Sequence, residues 1–104
     1  MAASMKIRAR IVDGSAHVAV LIMHPMETGQ RKDPATGQAY PAHFIHSVTA
    51  TINDRQVVSA QWGPAISKNP LLAFRVRGAK AGDRLVVAWE DNKGEKDRAE
   101  ATIA

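Results

Sequence analysis

Four histidines, His17, His24, His43 and His46, are the first side chains in this sequence that could do chemistry. Imidazoles ligate metals and exchange protons near neutral pH. A metal centre would draw on His43 and His46, with His24 or Glu27 completing the set. Residues three apart on a strand face opposite sides of the sheet, so His43 and His46 do not easily share one ion there, whereas a helix would allow it. The sequence therefore predicts strand and loop histidines in ordinary hydrogen bonds, and no metal site.

Other chemistries find no motif. No G-x-S-x-G elbow surrounds Ser4, Ser15, Ser47, Ser59 or Ser67. Glu27 with Glu90 and Asp91 is a conceivable carboxylate group, but nothing in the spacing brings them together. Residues 78–83 share the composition of a phosphate loop without its G-x-x-x-x-G-K-[ST] order. Asp91-Asn92-Lys93-Gly94 places a lysine where a calcium loop needs an oxygen ligand. Both stretches read as turns. Cysteine is absent, which removes disulfides, thiolate metal sites, a cysteine nucleophile and any thiol carrier role on this chain. It leaves the redox compartment open. The expectation is no catalytic residue and no cofactor.

Binding is the remaining class. A net charge of +4 favours anionic partners. Lys6, Arg8 and Arg10 form a basic stripe, which Arg75 and Arg77 extend if their strands are neighbours. Single-strand binders interleave such charge with stacking aromatics, and none lies between these positions. The stripe reads as a solvated outer face, with no nucleic acid partner. The longest strictly apolar run, residues 18–23, is far short of a membrane span. The N-terminus has basic residues but no apolar core of a secretory signal, because Asp13 and Gly14 interrupt it. Taken alone, this predicts a cytoplasmic chain, or one exported by a route it does not itself encode.

Two loops resist the bland reading. Residues 26–33 hold Met26, Arg31 and Lys32; residues 61–70 hold Trp62, Ile66, Lys68 and Asn69. Each joins glycine, positive charge and a large apolar group. Exposed Met and Trp are typical of protein-binding surfaces; equally, Met26 and Trp62 could plug the ends of a sandwich. With Tyr40, these residues are the candidate partner-binding set. Met26, Tyr40, Trp62 and Ile66 would form its apolar patch, through which the isolated chain would self-associate, as a homodimer for example.

The elements that position these loops are strands. At 104 residues the chain is one domain, residues 1–104. In residues 6–12, Ile7, Ala9 and Ile11 alternate with Lys6, Arg8 and Arg10, the period of a half-buried strand. Asp13-Gly14 is a hairpin signal, and residues 17–23 form a second, more buried strand. Residues 24–41 carry Pro25, Gly29, Pro34, Gly37 and Pro41 and read as a long irregular loop. Further strands are predicted over 43–53, 55–62, 71–77, 84–90 and, most weakly patterned, 95–103. About seven short strands with frequent turn signals describe an all-β, immunoglobulin-like antiparallel β-sandwich.

Several segments in order resemble the SoxZ family of the bacterial sulfur-oxidation (Sox) system. They are residues 24–33, 40–45, 48–51 with 59–64, 67–70, 78–83 and 89–94. The resemblance runs over residues 5–104. It implies an immunoglobulin-like sandwich without catalysis that pairs with SoxY. The flexible C-terminal arm of SoxY ends in a Gly-Gly-Cys-Gly-Gly-type sequence that carries sulfur intermediates covalently. The resemblance further implies transient contacts with other Sox enzymes and export to the periplasm with a signal-bearing partner. Missing cysteine fits the SoxZ role and excludes the SoxY role. No family residue is carried over as catalytic, so the partner-binding set rests on the loops themselves. A generic immunoglobulin-like interaction module unrelated to sulfur oxidation is the alternative.

Overall fold

The computed structural model describes residues 4–104. Seven strands follow in order: β1 (Met5–Val12), β2 (Ser15–Ile22), β3 (Ile45–Ile52), β4 (Arg55–Gln61), β5 (Leu71–Arg77), β6 (Arg84–Asp91) and β7 (Lys96–Thr102). They form two antiparallel sheets, β1-β2-β5 and β4-β3-β6-β7, whose apolar faces pack together as the predicted sandwich.

Alternation decides which side chains enter the core. β2 turns Ala16, Val18, Val20 and Ile22 inward, and β6 turns Leu85, Val87 and Trp89 inward to meet them. β3 contributes Ile45, then Val48, Ala50 and Ile52. The change of phase after Ile45 is made by a bulge in its pairing with β6, between Ile45 and Ser47. Two hairpins are tied by turns with positive φ at both central residues, 52° and 79° at Asp13-Gly14 and 51° and 66° at Asn53-Asp54. That backbone matches the right-handed twist of the paired strands.

The segment between β2 and β3 is more ordered than its prolines and glycines suggest. Glu27 pairs with His43, and Lys32 pairs with Ala39, each as an antiparallel bridge. The Tyr40 N–H donates to the Arg31 carbonyl at 2.8 Å, and the Gly37 N–H to that of Asp33 at 2.7 Å. The expected irregular loop is thus a narrow hairpin arm. Its hydrogen bonds come in isolated pairs, which leave no period-two signal in the sequence. At its base Gly29 has φ 86°, which favours glycine, and a Cβ there would sit 3.2 Å from the Cβ of Ala42, so another residue would be strained and would press the two sides of the arm apart by a few tenths of an ångström.

Candidate functional site

At the end of the sandwich where this arm begins, three polar residues continue the inward phase of three strands. His24 follows Ile22 of β2 by two residues, His43 precedes Ile45 of β3 by two, and Asp91 follows Trp89 of β6 by two. All three meet. His24 and Asp91 are buried, and His43 is half-buried. His24 Nε2 donates to Asp91 Oδ2 at 3.0 Å, and His43 Nε2 donates to the same oxygen at 2.7 Å. Asp91 Oδ1 accepts the N–H groups of Lys93 at 3.0 Å and Glu95 at 2.9 Å. The carboxylate is fully coordinated by donors. Burial pushes its pKa up, but the hydrogen bonds from His24, His43, Glu95 and Lys93 outweigh that and hold it below the ordinary carboxylate range.

The His24 ring is fixed on every side. The Met26 N–H donates to Nδ1 at 3.1 Å, so the ring proton belongs on Nε2, where Asp91 accepts it. The ring stands edge-on to His43, with centroids 4.5 Å apart, and to Trp89, at 5.2 Å. The Asn69 side chain accepts the His24 N–H at 3.0 Å, and the Asn69 N–H returns a bond to the His24 carbonyl at 3.0 Å. One carboxylate therefore joins the start of the arm, its end, the β6–β7 turn and, through His24, the loop before β5.

His24, His43 and Asp91 have the residue types of a metal site, with ligand atoms within 4.8 Å of one another. The hydrogen bonding argues against that use. A metal on His24 Nε2 needs the proton on Nδ1, and Nδ1 already faces a backbone N–H. The grouping differs from the histidine set the sequence suggests: His46 is exposed on β3, and Asp91, which the sequence offers as a turn residue or a member of a carboxylate group with Glu27 and Glu90, takes its place.

The predicted partner-binding residues fall into distinct environments. Met26, which the sequence left open between an exposed contact and a plug at the end of the sandwich, is buried in the core, with φ 48° and its sulfur 3.3 Å from the Ile45 N–H. The positive φ turns its side chain inward against Ile45. Tyr40, Trp62 and Ile66 are half-buried, and the last two pack against the core. Met26 therefore drops out of the expected apolar patch, while Tyr40, Trp62 and Ile66 each keep partial exposure. Arg31 is exposed but engaged: its Nε lies 3.2 and 3.3 Å from the Glu27 carboxylate oxygens, and its guanidinium stacks 4.1 Å over the Tyr40 ring. The bond from Arg31 holds the Glu27 carboxyl below its usual range. Lys32 and Lys68 are exposed. Lys68 shares a cleft of about 410 Å³ with Pro25, Met26, Glu27, Thr28 and Arg31. The structure thus brings Met26, Arg31 and Lys68 together, joins Tyr40 to them through Arg31, and ties Asn69 to His24.

Residues 5–102 match the family model described as sulphur oxidation protein SoxZ. The chain belongs to the SoxZ family. A search of the curated proteins returns no match. SoxZ membership gives the chain a role in sulfur oxidation. Four of the segments that resemble SoxZ, residues 24–33, 40–45, 67–70 and 89–94, are the ones joined around Asp91 and His24.

Proposed function

We propose that the chain is the non-catalytic subunit of a sulfur carrier complex. It pairs with SoxY, whose cysteine arm holds sulfur intermediates while Sox enzymes act on them. The observation that carries this reading is the SoxZ match over residues 5–102 of a chain without cysteine. A chain of this family with no thiol cannot hold the intermediate itself. The polar cluster supports a structural role as well, because the Asp91 oxygens and both His24 nitrogens are spent on holding loops. In this reading the cleft bearing Lys68 and Arg31 faces SoxY or its anionic cargo, since guanidinium and ammonium groups suit oxyanions. The complex works in the periplasm, and this chain travels there bound to a signal-bearing partner. Co-expression with SoxY followed by size-exclusion chromatography tests the pairing: co-elution in a fixed ratio is expected, and separate elution would overturn it.

A further inference from the structure

The two sheets differ sharply in outward charge. β2 lies between β1 and β5, so their outward side chains form continuous rows: Lys6–Leu21–Leu71, Arg8–Ala19–Ala73, Arg10–His17–Arg75 and Val12–Ser15–Arg77. Lys6, Arg8, Arg10, Arg75 and Arg77 are all exposed, and no outward position of this sheet holds a carboxylate. Among the described residues none of the five pairs with one. On the other sheet, Arg84 and Arg98 lie within 3.6 and 3.4 Å of Glu100, and Lys96 stands opposite Glu90. Setting the five aside leaves nine Lys+Arg against ten Asp+Glu, a remainder of −1. The whole positive excess of the chain lies on one sheet face.

Such a face is costly to keep. Like charges recur at alternate positions along β1 and β5, on either side of β2, and repel one another. Basic residues on the edge strands β1 and β5 also discourage unwanted strand pairing, which accounts for their charge but not for the absence of any carboxylate from the outward face. One end of the face is apolar. Leu71 is 65% exposed, Met23 is 50% exposed, and the two are the large exposed hydrophobics among the described residues. Leu21 stands opposite Leu71. An apolar area beside a charged field is the anatomy of a protein interface.

We infer that the outward face of the β1-β2-β5 sheet is a docking surface for an acidic protein with an apolar contact at the Leu71–Met23 end. A second copy is a poor occupant, because two such faces repel. Single-stranded nucleic acid is poorly matched because no Phe, Tyr or Trp lies on the face to stack on a base, and duplex nucleic acid offers nothing for the apolar Leu71–Met23 end. The Leu71–Met23 end adjoins the Lys68–Arg31 cleft along the chain, whereas Arg10, Arg75 and Arg77 lie at the other end of the sheet, so the charge variants test this face apart from the pairing proposed above.

The full chain tests this with defined probes: poly-L-glutamate, a glutamate–leucine copolymer, duplex DNA and phosphatidylglycerol vesicles, each at low and raised salt. The copolymer is expected to bind best, more weakly as salt rises. Arg10→Glu with Arg75→Glu, and separately Arg8→Glu with Arg77→Glu, should each weaken it about tenfold. Leu71→Ser should erase the advantage of the copolymer over poly-L-glutamate. Lys96→Glu with Arg98→Glu removes the same charge from the opposite sheet and should change binding little. Each variant is accepted only with wild-type circular dichroism. Equal losses from the two sheets would reduce the effect to net charge and overturn the proposal. Tighter binding to DNA or vesicles than to the copolymer would overturn the choice of partner.

Discussion

The buried Asp91 carboxylate accepts from His24 Nε2 at 3.0 Å across a sequence separation of 67. Each of its oxygens takes two donors: two imidazole N–H groups on Oδ2 and two backbone N–H groups on Oδ1. Asparagine fits this volume but not this pattern. Whichever way its amide turns, the NH₂ faces a pair of donors. We expect Asp91→Asn to cost about 2–4 kcal/mol in urea unfolding, the range for breaking a buried charge-assisted hydrogen-bond cluster. A loss under about 0.5 kcal/mol, the level of a neutral surface change, would refute the role assigned to Asp91.

The same group sets a pH dependence. Its pKa is lowered on folding, so the folded chain binds this proton more weakly than the unfolded chain. The stability it contributes is therefore fully present above the unfolded value of about 3.9, and is lost as pH falls through the lower folded value. Asp83, held down by the Lys80 N–H and Asn53, and Asp97, held down by the Ser4 hydroxyl, act in the same direction. The urea midpoint should fall on acidification from about pH 5 to pH 3, and fall less steeply in Asp91→Asn. A midpoint that rises over this range would contradict the assignment.

Much of this was legible in the sequence, because alternation is a local property. The phase of Ile7, Ala9 and Ile11 fixes the inward side of β1 without knowledge of any partner. Asp13-Gly14 and Asn53-Asp54 mark their turns by residue type alone. The cluster at Asp91 was missed because only the fold joins positions 24, 43 and 91. Yet a signal existed: the phase of Leu85, Val87 and Trp89 continues to Asp91, and that of Val18, Val20 and Ile22 continues to His24. A polar residue on the inward phase just past a strand needs a buried partner. The sequence leaves Met26 open between surface and core because Pro25 and Gly29 mark its segment as a loop, yet the same phase of Val20, Ile22 and His24 runs on to Met26 and points it inward.

The positive φ of Met26 gives a test. The residue is 5% exposed at φ 48°, a region that costs a non-glycine residue about 1 kcal/mol or more. Met26→Ala removes core volume while keeping the strain and should cost about 2–4 kcal/mol. Met26→Gly leaves a similar void but relieves the backbone, so it should be no worse than alanine. Thermal unfolding of the two variants decides this. A glycine variant clearly less stable than the alanine one would mean that the positive φ carries no strain.

Zinc offers a separate check on the histidines. With the Met26 N–H held against His24 Nδ1, a metal must displace a backbone bond before His24 Nε2 can ligate. Zinc titrated into the metal-free chain should not raise its melting temperature. His24→Gln with His43→Gln should take up as little zinc as the unaltered chain. Tight stoichiometric binding that disappears in the double variant would reverse the reading of the cluster.

The cleft beside the arm holds two cations in unequal states. Arg31 is clasped by Glu27 and stacked on Tyr40, so much of its field is cancelled locally. Lys68 borders the same cleft and forms no ion pair among the described residues. If this end meets an acidic surface of SoxY, an unpaired charge should steer encounter more than a paired one. Lys68→Ala should slow association about two- to fivefold at low salt, with the difference shrinking as salt rises. Arg31→Ala removes a cation but frees a carboxylate, so its effect on the rate should also be adverse. Glu27→Gln supplies the decisive sign, because it unmasks Arg31 without adding a residue to the surface, and should accelerate association. Stopped-flow measurement of the on-rate with purified SoxY reads all three. Slower association in Glu27→Gln would show that the Glu27–Arg31 pair acts by ordering the arm rather than by masking charge.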